Sequence, residues 1–289
     1  MSSSLRRYLP YLILVGGVVG TSMSSIFIRW ANAPAPVVGF YRMLIAIAIF
    51  ALPVTRQIRR ETPVSRKHLK LAAFSGIFFA FSTALWNASV LVTSAANATL
   101  LANISVIWVG LGAMFFFGEK LRSRFWGGIS VALIGMAIIF GQDFLTHPTL
   151  GWGDLLALIA GIFYAIFFLI SKRAREQTSA FVGWWVSSLV STLTLLALCV
   201  ALQTPLGGYS LQTYLNIATL ALVTQVLGML SINYAMGHLP VAIISPALLL
   251  QPVIAAVLAI PLLGQPLGAT QIIGGVLVLG GIGIVNRTS

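Results

Sequence analysis

The sequence predicts an all-α integral membrane protein of ten transmembrane helices. They form two five-helix inverted-topology repeats around a central cavity, with both termini cytoplasmic. Three observations lead there: a composition too apolar for a water-facing surface, basic residues gathered in alternate connections, and a second half that repeats the first.

Of 289 residues, 58% are apolar and 8% charged, against about 25% charged in an ordinary soluble domain. Too few polar residues exist to cover a soluble globule, and the same count excludes disorder. A lipid-facing barrel strand alternates apolar and polar positions, whereas 106–117 and 241–263 are long apolar runs without alternation. Ten helices of about 20 residues leave about eight residues per connection, which is too little for a soluble domain.

The runs fall near 9–28, 36–54, 70–91, 95–117, 124–140, 152–171, 181–202, 212–234, 240–262 and 267–285. The first follows Arg6 and Arg7 but exceeds the roughly 7–15 apolar residues of a signal peptide, and reads as a retained span. The single Cys199 excludes a disulfide framework.

Net charge is +12, from 17 Lys and Arg against five Asp and Glu. Numbering the connections alternately, one side receives Arg6, Arg7, Arg56, Arg59, Arg60, Arg66, Lys67 and Lys70. It also takes Lys120, Arg122, Arg124, Lys172, Arg173, Arg175 and Arg287. The other side receives Arg29, and Arg42 lies within the second run. Such segregation is the positive-inside pattern rather than a nucleic-acid surface, and it places both ends in the cytoplasm.

A shift of 146 positions brings 117–121 onto 263–267, Gly128, Leu133 and Gly135 onto Gly274, Leu279 and Gly281, and Asn87 onto Asn233. A shift of 144 places Gly17 on Gly161, Arg29 on Arg173, and Val38-Gly39 on Val182-Gly183. The units are therefore 1–143 and 144–289. Five spans per unit is odd, so the second copy crosses upside down. The connection at 118–124 carries Glu119, Lys120, Arg122 and Arg124; its counterpart at 264–270 keeps Gly and Leu but has no charge, as inversion to the outer face requires. Inverted repeats are the mark of secondary transporters, whose substrate site lies at the midplane between the halves.

These features resemble the EamA type of the drug/metabolite transporter superfamily. The resemblance lies in the Gly-Glu/Gln-x-Leu connection before each Gly-rich last span, in Tyr41-Arg42-Met43-Leu44, and in Leu250-Gln251-Pro252-Val253 leading to Leu263-Gly264. Gln265 and Val106 depart from the family pattern. Within the family the chain looks most like the YddG-type amino-acid exporters. That likeness implies export of amino acids, aromatic ones included, from the bacterial inner membrane. A drug, nucleotide-sugar or other metabolite carrier of the same superfamily is the alternative.

Candidate site residues come from a census of polar groups at membrane depth. Glu61, Glu119, Asp143, Asp154 and Glu176 fall in connections or at span ends, which disfavours a carboxylate-based proton antiporter. His147 and His238 also fall at interfaces. Arg42 is the one internal cation; it either snorkels outward or serves as a gate or a partner for a substrate carboxylate. Trp86, Asn87, Thr99 and Asn103 in spans three and four, and Tyr164 in span six, are expected to face substrate. So are Gln225, Asn233, Tyr234, Ser245 and Gln251 in spans eight and nine, because amides and hydroxyls are not left unpaired in lipid. Interhelical hydrogen bonding, worth about 0.6 kcal/mol each, is the competing reading. Trp108, mid-helix, is a candidate stacking surface beside them. Pro246 and Pro252 interrupt span nine and free carbonyls near Ser245 and Gln251. Gly16-x-x-x-Gly20 and the glycines at 274–283 fit close helix contact.

No catalytic cluster, metal set or nucleotide-binding fingerprint is legible, so the chain is expected to be no enzyme and to need no cofactor or nucleic acid. Its partners are small-molecule substrates, amino acids first, and the lipid bilayer; it is expected to act as a monomer. Transport by alternating access, driven by gradient or exchange, is the expected mechanism.

Overall fold

The computed structural model describes residues 3–58, 65–93, 95–146, 151–263 and 268–286. Eight helical segments are long and apolar enough to cross a membrane. These are α1 (Tyr8–Ala31), α2 (Ala35–Gln57), α3 (Arg66–Val92), α4 (Ala98–Phe117), α6 (Trp152–Ala174), α7 (Ala180–Ala201), α8 (Leu211–Met236) and α9 (Val241–Leu258). Two further apolar helices are α5 (Ser123–Thr146) and α10 (Ala269–Asn286). Asp143 lies on the last turns of α5, while Glu61, His147 and Gln265 lie outside the described residues.

Four segments are interrupted, each for a local reason. In α1 the Thr21 hydroxyl donates to the Gly17 and Val18 carbonyls and Ser22 to Val18; such back-bonding bends a helix, and α1 breaks at Met23. In α4 Asn103 Nδ2 donates to the Thr99 carbonyl at 2.8 Å, one residue before the break at Ile104. Segment α8 widens into a π-helix over Ala221–Met229, a distortion frequent at functional sites. Segment α9 tightens to a 3₁₀ turn at Leu248–Leu250, between Pro246 and Pro252.

The packing obeys an exchange of halves. Equivalent helices pair as α2 with α7, α4 with α9 and α5 with α10; α3 packs on α6 as α8 packs on α1, and α3 on α7 as α8 on α2. Two of these pairs are demonstrably antiparallel. Along α2, Gly39 meets Leu195, Phe50 meets Phe181, and Gln57 accepts from Ser179, so one number rises as the other falls. Along α5, Gly128 meets Gly281 and Gly135 meets Gly274.

Small residues let the helices approach this closely. A Cβ on Gly135 would stand 2.6 Å from the Gly274 carbonyl oxygen. In α1 the contact falls on Gly17 and Gly20, where an added Cβ would stand 2.9 Å from an α8 carbonyl oxygen, whereas Gly16 faces open space. Of the expected Gly16–Gly20 pair, Gly20 makes the close contact and Gly17 takes the place of Gly16. Where α3, α6 and α7 meet, Phe79, Phe167 and Trp184 form a buried aromatic cluster, with ring centroids 4.5 Å and 5.2 Å from Phe79. Hydroxyls bridge the same seam: Ser75 to Ser187, Ser191 to the Gly76 carbonyl, and Ser82 to the Ala160 carbonyl.

Candidate functional site: a polar cavity between the halves

A cavity of about 600 Å³ opens among α1 to α6, α8, α9 and α10, within the size range of small-molecule sites. It runs from Trp86, Ala256 and Gln271 down to Ser245 and Met229. Phe79, Val106, Val109, Ile139 and Leu248 supply apolar wall, and hydroxyls and amides supply the rest. Arg42 is the one charged residue among its described lining.

The polar lining is prepared by the interruptions in the helices. The bend in α1 presents Thr21, Ser22, Ser24 and Ser25 to the cavity. Pro252 leaves Gln251 at the start of a fresh helical turn, from which its Nε2 donates to Thr21 Oγ1 at 2.9 Å. That bond joins α1 to α9 across the two halves. The break in α4 brings Thr99, Asn103 and Ser105 to one wall.

Arg42 is 6% exposed. With the Gln225 amide turned so that its oxygen faces the guanidinium, Oε1 accepts from Nε at 2.9 Å and Nη2 at 3.1 Å, while Nη1 has no partner. Arg42 therefore does not snorkel. Gln225 sits in the π-helix, and its own carbonyl accepts from Trp184 Nε1 at 3.3 Å.

At the end of the bundle that carries the basic connections, charged side chains bond to the backbone of neighbouring helices. Gly118, at φ +65, ends α4 in a left-handed turn. Glu119 then accepts from the Val241 and Ala242 N–H groups at 3.0 and 3.1 Å, at the N-terminus of α9, where a carboxylate meets free donors and the positive end of the helix dipole. Lys172 Nζ donates to the Met236 and Leu239 carbonyls at the end of α8. Arg175 Nε donates to the Asn233 carbonyl at 2.9 Å, and its guanidinium fills the space beside Gly237. Burial pulls the Arg175 guanidinium down to about 10, so it stays charged at neutral pH.

Of the residues expected to face substrate, Arg42, Trp86, Thr99, Asn103, Tyr164, Ser245 and Gln251 line the cavity. Five do not. Trp108 is 47% exposed on the outside of the bundle, while Val106, on the far side of α4 from it, lines the cavity. Asn87 is fully buried between helices, donating to the Ala35 carbonyl at 3.1 Å. Gln225 stands behind Arg42. Asn233 is buried at the basic end, and Tyr234 stacks on exposed His238 there, with centroids 4.2 Å apart. For Asn87 the geometry is that of the competing reading, helix-to-helix bonding. Thr21, Ser22, Ser24, Ser25, Thr83, Ser105, Thr224 and Gln271 line the cavity and were not singled out. The run Thr21-Ser22-Met23-Ser24-Ser25 in an apolar span was the available signal.

A multi-pass helical bundle enclosing a polar cavity, with no metal-holding group among the described residues, has the make-up of a membrane carrier. The comparisons define which: residues 9–141 and 151–287 each match the EamA-like transporter family, and the chain belongs to it. It is a membrane transporter and not an enzyme. A "Probable terminal-alkyne amino-acid exporter" of Streptantibioticus cattleyicolor is 25% identical over 94% of this chain and 84% of its own length. A "Probable amino-acid metabolite efflux pump" of Salmonella typhimurium is 27% identical over 60% of this chain and 61% of its own. An "Uncharacterized transporter" of Clostridium kluyveri is 26% identical over 84% and 80%. A solved crystal structure shares the fold at TM-score 0.77 and 17% identity, covering 96% of both chains.

Proposed function

We propose that this chain exports amino acids, aromatic ones among them, across a bacterial inner membrane by alternating access. It acts as a monomer of ten spans, with units 1–143 and 144–289 inverted relative to each other and both termini in the cytoplasm. The antiparallel pairing of α5 with α10 supports the inversion, and the segregated basic connections support the orientation. In that orientation the Glu119–Lys172–Arg175 end is the closed cytoplasmic gate, and the cavity faces outward.

One observation carries the substrate reading: the cavity combines an apolar wall with hydroxyls and amides and has no described carboxylate. Neutral polar groups suit the ammonium and carboxylate of a zwitterion, while Phe79, Trp86 and Tyr164 accept varied side chains. The missing carboxylate supports gradient or exchange rather than proton coupling as the driving force. The printed names of two relatives favour amino acids over drugs or nucleotide sugars.

Counterflow in proteoliposomes tests the proposal. Labelled amino acids should accumulate only when the vesicles are preloaded with unlabelled ones. Folded protein that moves none of the twenty, while moving a nucleotide sugar or a lipophilic drug, removes it.

A further inference from the structure

We propose that Arg42, held in place by Gln225, is the charge-selecting residue of the cavity: it binds the carboxylate of the substrate and excludes organic cations. The inference rests on the carrier reading above and adds the rule by which the cavity sorts its substrates.

The argument begins with an imbalance. Arg42 is a buried cation at membrane depth, and the only ion pair among the described residues is Arg173–Glu176, elsewhere. The three carboxylates whose side chains are described are engaged away from it. Glu119 caps α9, Asp154 accepts from Thr93 and from the Gly151 N–H, and Glu176 pairs with Arg173. A buried charge with no opposite charge is strongly unfavourable.

Geometry supplies the second half. The Gln225 oxygen takes Nε and Nη2, along one edge of the planar guanidinium. Nη1 is buried and left without a partner, in a residue that lines the cavity. Gln225 is a neutral acceptor: it fixes the plane of the fork without cancelling its charge, so the remaining donors suit a carboxylate brought from outside. A glutamate in its place would have neutralised Arg42 permanently. The π-helical widening of α8 is the device that sets Gln225 at this depth. A substrate with an amine and no carboxylate would meet a positive charge and no negative one.

The test uses full-length protein in detergent micelles and chloride-free buffer, with equilibrium dialysis of three labelled probes of like shape: phenylacetate, phenylalanine and phenethylamine. Phenylacetate and phenylalanine should bind and phenethylamine should not. Arg42→Gln should weaken both carboxylates by about 10- to 100-fold, the loss of a charge-assisted pair, and should melt no lower than the parent because it removes an uncompensated buried charge. Gln225→Glu should also abolish carboxylate binding, while raising the melting temperature through an internal ion pair. That combination marks a positioning role, since a merely structural glutamine would lose both.

Binding of the amine as tightly as the acid, or full carboxylate affinity in Arg42→Gln, overturns the inference. So does a parent protein that binds none of the three, or one that binds added chloride and no carboxylate. Amino-acid counterflow that persists in Arg42→Gln also overturns it and leaves the exporter reading standing. Carboxylate-selective binding with no amino-acid counterflow does the reverse.

Discussion

Gly128 and Gly281 meet backbone to backbone where α5 crosses α10: a Cβ on Gly128 would stand 2.6 Å from the Gly281 carbonyl oxygen, and one on Gly281 would strike the Gly128 carbonyl. The next contact along the seam joins Gly135 to Gly274. Gly128 corresponds to Gly274 in the repeat and Gly135 to Gly281, so each contact is the other with the halves exchanged. Two helices that pair this way must run in opposite directions.

A side chain on that seam forces the helices apart. Gly128→Leu should lower the melting temperature in detergent, at a cost of about 1–3 kcal/mol for overpacking. Gly127→Leu, whose Cβ meets nothing within 4 Å, should leave it unchanged.

Glu119 ties the two halves together at the basic end, through the Val241 and Ala242 N–H groups. Glu119→Gln keeps the shape and removes the charge, which weakens the closed gate by about 1–2 kcal/mol. Counterflow at saturating substrate should speed up where gate opening limits the rate, and protease cleavage from the cytoplasmic face should increase.

The Gln251–Thr21 bond at 2.9 Å spans the cavity wall. Thr21 also donates to its own helix, so Gln251→Leu leaves its hydroxyl proton satisfied and the fold intact. Substrate affinity should fall, with KM rising about fivefold for the loss of about 1 kcal/mol of polar contact.

Trp108 and Asn87 are the controls. Trp108→Leu changes a residue on the outer surface of the bundle and should leave counterflow unaltered. Asn87→Leu removes the bond from Asn87 Nδ2 to the Ala35 carbonyl, which sits in the first turn of α2. It should cost about 0.5–1.5 kcal/mol of stability with KM unchanged.

Much of this architecture is legible in the chain, because apolar runs, charge segregation and the repeated glycines each follow from membrane physics. The wall formed by Thr99, Asn103, Ser245 and Gln251 is legible for the same reason: polar groups in apolar runs turn away from lipid. Which inward surface they meet is not. Asn87 and Gln251 look alike in sequence, and only packing separates a residue spent on the Ala35 carbonyl from one at the cavity wall. The hydroxyls of Thr21 and Ser22 satisfy themselves on their own helix, so their residue types do not announce the bend they cause. The π-helix that sets Gln225 beside Arg42 has no pattern of its own in 221–229.

The central claim is that the cavity is reached from one side of the membrane at a time. Its most direct test places a single cysteine at Ser245, deep in the cavity, in a Cys199→Ala background, and labels it with a membrane-impermeant maleimide from either face. Labelling should be fast from outside and slow from inside, and Glu119→Gln should shift it toward the inside. Equal rates from both faces, unmoved by Glu119→Gln, would contradict the account.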